Sequence, residues 1–220
     1  MRALRLALLP AALAAVSGCV PYAVGTTAAT VPERRVEPSG IVQIASARRD
    51  IDAGDGPSGP AISLTNEARL GLDARTDVGV RLTGFGGVTA TVKRRLRGQG
   101  DDGAALMLGG GLIGASHVHA EATLILSRAS APILGPSLGQ RVAPYGGLRV
   151  QDLTPFADDA INTTPAFGVF VGARLGWPDL ALSPEIGVFY SPSPVFGERS
   201  VIVVPSLTVR GDRLRRAIGL

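Results

Sequence analysis

The stretch Ile62-Ser63-Leu64-Thr65-Asn66-Glu67-Ala68-Arg69-Leu70-Gly71-Leu72, followed by Asp77-Val78-Gly79-Val80-Arg81-Leu82, decides the fold. Successive side chains of a strand point to opposite faces. Ile62, Leu64, Ala68, Leu70 and Leu72 therefore share one face, and Ser63, Thr65, Glu67, Arg69 and Gly71 the other. In the second run Val78, Val80 and Leu82 oppose Asp77, Gly79 and Arg81. The pattern predicts two long antiparallel strands, each half apolar and half polar, joined by a short turn at 73–75.

Working outward, the same alternation recurs at 87–96, 118–128, 166–175 and 180–190, with further candidates at 41–47, 104–114, 142–150 and 201–210. About ten strands result. No helical period is sustained, so the crossover helices that a parallel sheet requires are missing. The expected fold is all-β: an up-and-down antiparallel β-barrel of about 8–10 strands. Long connections are expected at 48–60, 151–164 and 192–199, and short ones at 73–75 and 176–179. The segment 129–140 is long where the alternation of loop lengths calls for a turn. Pro184 and Pro205 fall inside predicted strands, where each removes a ladder donor.

Composition agrees. Of 220 residues, 45% are hydrophobic and 18% charged, which excludes a disordered chain. One cysteine excludes a disulfide scaffold. Beyond the N-terminus no apolar run approaches the ~20 residues of a spanning helix. The net charge of +4 is carried mainly by Arg, Lys93 being the only Lys.

The first residues read as an export signal. Arg2 and Arg5 precede the apolar run Leu6 to Val16. Val16-Ser17-Gly18-Cys19 resembles the bacterial lipobox. That resemblance implies cleavage before Cys19, diacylglycerol on its sulfur and acylation of the new amine; Val20 in place of Asp implies sorting to the outer membrane. The expected organisation is a signal peptide over 1–18, a lipid-anchored flexible tether over 19–40, a barrel over 41–212 and a basic tail over 213–220. The lipid is expected to enter from the periplasmic side.

Alternation fits two architectures. A soluble barrel or sandwich buries its apolar face; a transmembrane barrel turns that face to lipid and its polar face to the lumen. Strands of 9–11 residues match a tilted membrane crossing. Small residues on the polar face (Gly71, Gly79, Gly109, Gly111, Gly168, Gly172 and Gly187) suit a narrow lumen shared with long charged side chains. Phe85, Tyr145, Trp177 and Tyr190 are expected at the interface belts. In Ala68-Arg69-Leu70-Gly71-Leu72 and Asp77-Val78-Gly79-Val80-Arg81-Leu82 the chain resembles the small outer-membrane β-barrels, the OmpA-like and OmpX-like group. The resemblance implies a transmembrane barrel with a structural or surface-interaction role.

The leading expectation is therefore a non-enzymatic, lipid-anchored outer-membrane barrel without cofactor or metal. Its expected partners are outer-membrane lipid or lipopolysaccharide and the barrel-assembly and lipoprotein-sorting machinery, not nucleic acid. The expected lumen charge network is Glu67, Arg69, Asp77, Arg81, Lys93, Arg95, Glu121, Arg149, Arg174 and Glu185, which must pair because isolated charge in a narrow interior is costly. Two alternatives stand beside this: a soluble periplasmic barrel or sandwich lipoprotein holding a small apolar ligand, and a lipid-modifying barrel enzyme using His117, His119 and Ser116. Gly135-Pro136-Ser137-Leu138-Gly139 matches the nucleophile-elbow pattern but lacks the following helix. His117, His119 and Glu121 share one strand face along a nearly straight line, which is poor zinc geometry. Asp101-Asp102 and Asp158-Asp159 are weak cation candidates.

Overall fold

The computed structural model describes residues 20–45, 61–84, 86–114, 117–132, 141–156, 165–177, 180–192 and 200–211. Eleven strands are present: β1 (Val36–Ala45), β2 (Ala61–Gly71), β3 (Thr76–Thr83), β4 (Gly87–Gln99), β5 (Asp102–Ile113), β6 (His117–Ser127), β7 (Ala131–Pro132), β8 (Arg141–Pro155), β9 (Ala166–Trp177), β10 (Leu180–Ser191) and β11 (Ser200–Arg210). Neighbours in the chain pair antiparallel, except that β6 and β7 do not meet; β7 adds only a short antiparallel pairing of two residues to β8.

Two long-range pairings close the cylinder. β1 meets β11 (Ile41 opposite Thr208), and β6 meets β8 (Glu121 opposite Gln151). Ten strands thus form a closed antiparallel barrel, and closure removes the sheet edges that would otherwise invite aggregation.

The barrel has two rims. One, called here the turn rim, carries the connections 72–75, 100–101, 128–140 and 178–179, the entry of β1 and the exit of β11. The other, the loop rim, carries 46–60, 84–86, 114–116, 156–165 and 192–199. β8 continues to Pro155, so residues 151–155, expected as loop, extend the wall instead.

Face direction follows the alternation. Leu70, Val80, Val169 and Val188 point outward with 39%, 52%, 53% and 39% exposure. Their neighbours Arg69, Arg81 and Phe189 point inward and are buried. An apolar-cored sandwich does not fit this arrangement, because the greasy faces gather outside and the charges inside.

The prolines are absorbed by the wall. Pro205 stays in register opposite Ile186, and Pro184 opposite Leu207. The β9–β10 ladder runs from Leu182 to Glu185 without pairing Ser183 and Pro184, which is where the missing donor falls.

Residues 20–32 correct the expectation of a flexible tether. They enter the lumen and cross it, with Tyr22, Val24, Thr26, Thr27, Ala28 and Val31 all buried. The wall then begins at Val36, five residues before the expected barrel start at 41. Pro38 and Gly40 obscure the alternation there.

Candidate functional site: the plugged lumen

The inner faces of β2, β3, β4, β6 and β8 build an ionic wall. Arg69 donates to Glu67 Oε1 at 2.6 Å, and to Asp77 Oδ1 through Nε at 2.8 Å and Nη2 at 2.5 Å. Arg81 bridges Glu67 and Glu121, both at 3.5 Å. Glu121 accepts from Arg149, completing a chain of charges from β2 to β8. The cross-strand registers explain the meeting: Glu67 faces Arg81, and Thr123, two residues after Glu121, faces Arg149. All of these side chains are almost fully buried, so each charge depends on its partner.

The opposite inner wall is apolar and aromatic. Phe189 lies across Gly168 and Gly187, where an added Cβ would come within 2.1 Å and 2.6 Å of its ring. Tyr145 and Phe170 form a tilted pair with centroids 6.3 Å apart. Tyr145 was expected at an interface belt; it is buried in the lumen instead. Its parity forbids the belt, since Leu148 on the same strand faces outward.

Residues 20–32 thread between these walls, bonded by side chains rather than by a strand. Gln43 takes the Ala23 N–H on Oε1 at 2.9 Å and donates from Nε2 to the Val20 carbonyl at 2.7 Å. The Glu185 carboxylate accepts the N–H groups of Val24 and Gly25, each at 2.8 Å. Arg149 donates to the carbonyls of Tyr22 and Ala23, and Arg210 to that of Gly25 at 2.5 Å. Further along, Lys93 donates to Thr26 Oγ1 and the Ala29 carbonyl, Ser127 accepts the Ala28 N–H, and Asp77 accepts the Val31 N–H at 2.9 Å. Anions collect amides and cations collect carbonyls, so a buried peptide without strand partners takes its hydrogen bonds from side chains of the wall.

Gly25 is the tight point of the thread. Its φ is +59°, and a Cβ there would fall 2.0 Å from Thr208 Oγ1. Only glycine meets both demands without strain.

Of the expected network, Glu67, Arg69, Asp77, Arg81, Lys93, Glu121, Arg149 and Glu185 are buried in the lumen. Arg95 and Arg174 lie nearer the turn rim. Arg95 donates to Thr30 Oγ1 at 2.9 Å, and Arg174 pairs with Asp101 at 3.5 Å. Glu185 is joined to the thread's amides, not to the ion-pair chain. Sequence reasoning missed Arg210, which pairs with Glu37 at 3.2 Å, together with Gln43, Ser127 and the thread itself. His117 and His119 face inward, with His119 Nε2 3.8 Å from Glu121 Oε2. Among the described residues no group of three or more His, Cys, Asp or Glu is arranged to hold a metal ion. Cys19, Phe85, Ser116, the 135–139 motif and Asp158-Asp159 lie outside the described residues.

Fold and lumen together define a class: a closed β-barrel, apolar outside and ionic inside, occluded by its own amino-proximal segment. No family model and no curated protein matches the chain. Among solved structures, the N-terminal β-barrel domain of Pseudomonas aeruginosa OprF is similar at 9% identity and a TM-score of 0.26, covering 78% of this chain and 96% of that one. Ail, the attachment invasion locus protein of Yersinia pestis, is similar at 9% identity and a TM-score of 0.23, covering 79% and 95%.

Proposed function

We propose that the protein is a lipid-anchored barrel of the bacterial outer membrane with a structural or surface-interaction role and no catalytic one. The observation that carries this reading is the direction of the two faces. A continuous band of Leu, Val, Ile and Phe is presented outward around the wall, where a soluble barrel would present polar residues. An exposed apolar surface of that extent requires a covering, and acyl chains are the covering that ten strands of this length fit. The lipobox at Cys19 supports the anchor, and the filled lumen supports a plug rather than an open pore.

The expected partners are outer-membrane lipid or lipopolysaccharide, together with the machinery that sorts lipoproteins and assembles barrels. Recognition of other molecules belongs to the loop rim, where connections tolerate variation on a rigid wall. A lipid-modifying activity draws no support from the geometry, since His117 and His119 point into the occupied lumen while lipid meets the outer wall.

Two measurements test the reading. The folded protein is expected to migrate differently in unboiled and boiled detergent gels. Val80→Arg, which puts a charge on the outer face, is expected to cost about 2–4 kcal/mol in vesicles. A chain that stays dispersed in aqueous buffer without detergent once residues 1–19 are removed would overturn the proposal.

A further inference from the structure

The thread fixes the rim through which the amino-terminal side of the chain emerges. Val31 and Thr30 sit at the turn rim, where Asp77 accepts the Val31 N–H and the Ala74 carbonyl accepts from Thr30 Oγ1 at 3.2 Å. Val20 sits at the loop rim. Its carbonyl is held by Gln43, and its side chain packs against the cluster of Tyr22, Ala45, Phe189, Ile202 and Val204. Tyr22 and Phe189 are 4.8 Å apart there, two residues before β10 ends. Arg210, near the other end of the described chain, pairs with Ala181 and Ser39 at the turn rim. Cys19 directly precedes Val20 in the chain.

We propose that the chain is threaded through its own barrel, so that acyl groups carried by Cys19 enter the leaflet around the loop rim, on the opposite side of the membrane from the C-terminal strand end. The proposal rests on the membrane and lipobox readings above and replaces anchorage from the periplasmic side. In a barrel whose turns face the periplasm and whose longer loops face outward, that leaflet is the outer one, rich in lipopolysaccharide.

Two features oppose the alternative, in which the lipid sits at the turn rim. Val20 to Val31 runs from the loop rim to the turn rim once, so returning the residues before Val20 to the turn rim needs a second passage through the lumen. Where Gly25 passes Thr208 the single backbone sits so close to the wall that no Cβ is admitted, and Gln43, Glu185, Arg149 and Arg210 hold the same stretch, so a second passage there would have to displace them. In addition, the thread is held along its whole length, from Gln43 near one rim to Asp77 near the other. Withdrawing it breaks those bonds together and leaves buried Glu185 and Arg149 without the thread partners they have now.

The test uses the full-length protein in the outer membrane of a didermic host. A photoreactive benzophenone residue is placed singly at Val20, at Val118 (outward, loop rim) or at Leu96 (outward, turn rim), each variant being checked for heat-modifiable migration. Val118 is expected to cross-link lipopolysaccharide and Leu96 phospholipid, and Val20 is expected to cross-link lipopolysaccharide as well as the wall it packs against. A C-terminal epitope on the otherwise unaltered chain is expected to stay hidden from antibody on intact cells. Val20 cross-linking phospholipid alone, as Leu96 does, would overturn the threading. An unmodified Cys19 in the mass of the mature amino-terminal peptide would overturn the acyl part. If none of the three positions reaches lipid, the membrane reading itself fails, which is a separate result.

Discussion

The two halves of the lumen wall solve burial in different ways. On β2, β3, β4, β6 and β8, ionic side chains reach across to one another, and the chain Asp77–Arg69–Glu67–Arg81–Glu121–Arg149 closes with protein partners of its own. On the other half, aromatic rings lie against glycines, and the one buried carboxylate, Glu185, gives both oxygens to backbone amides of the thread. The ionic half is largely self-sufficient, whereas the aromatic half is complete only with residues 20–32 in place. Buried charge therefore specifies one wall directly and the other through a peptide, and the two should respond differently to the same perturbation.

The largest effect is expected from removing the thread. Deleting residues 22–31 strips partners from Glu185, Arg210, Lys93 and Arg149 at once. Detergent-gel migration should lose most of the heat-modifiable form. Whatever does fold should conduct in planar bilayers, whereas the intact chain should not; a silent deletion variant would break the contrast between the walls.

Next comes Arg69→Met, which leaves Glu67 and Asp77 facing a thioether. A loss of about 3–5 kcal/mol is expected in urea unfolding from vesicles. That loss should be nearly the same with or without the thread, since the strongest partners of Arg69 are on the wall.

Glu185→Gln should cost less, about 1.5–3 kcal/mol, because the amide keeps one acceptor oxygen for one of the two N–H groups and turns its NH2 donor toward the other. This loss should vanish in the thread deletion, so the pair is non-additive where Arg69→Met is additive. Gly25→Ala, which strains φ and crowds Thr208, should cost about 1–3 kcal/mol and share that dependence on the thread.

The smallest effect lies at the turn rim, outside both walls. The Arg75 backbone N–H donates to the Asp73 carboxylate at 2.6 Å and, with bonds involving Thr76, holds its carboxyl below the usual range. A lowered folded value contributes stability above the unfolded carboxylate range and loses it as pH falls through the folded value. Asp73→Asn should therefore lower stability slightly at neutral pH and leave the acid end unchanged, which flattens the acid side of the stability profile.

Much of the wall was legible in the sequence because the period of two is strong there. The run 76–83 coincides with β3, and 62–72 lies one residue from β2. Tyr145 was legible too, had its parity been read against Leu148 and Val150. The thread was not. Residues 21–31 are mostly small (Ala, Thr, Gly, Val) and uncharged, without period, as a linker can be, and their order comes from distant side chains rather than local preference. One signal did exist. Counting inward positions, Arg69, Arg81, Lys93, Arg149 and Arg210 exceed Glu67, Asp77, Glu121 and Glu185, and surplus cations in a dry tube call for carbonyl oxygens from somewhere other than the wall.

Because the thread and β1 are continuous through the bend at Pro32–Arg35, the molecule is mechanically interlocked with itself. Tension applied at residue 20 arrives at that bend from within the cylinder and loads the two hydrogen-bond ladders of β1 lengthwise, so that many bonds share the force instead of opening one after another. A pull from the loop rim thus tightens the thread's seat on the strand that follows it, and the seam between β1 and β11 becomes the strain-bearing joint of the protein.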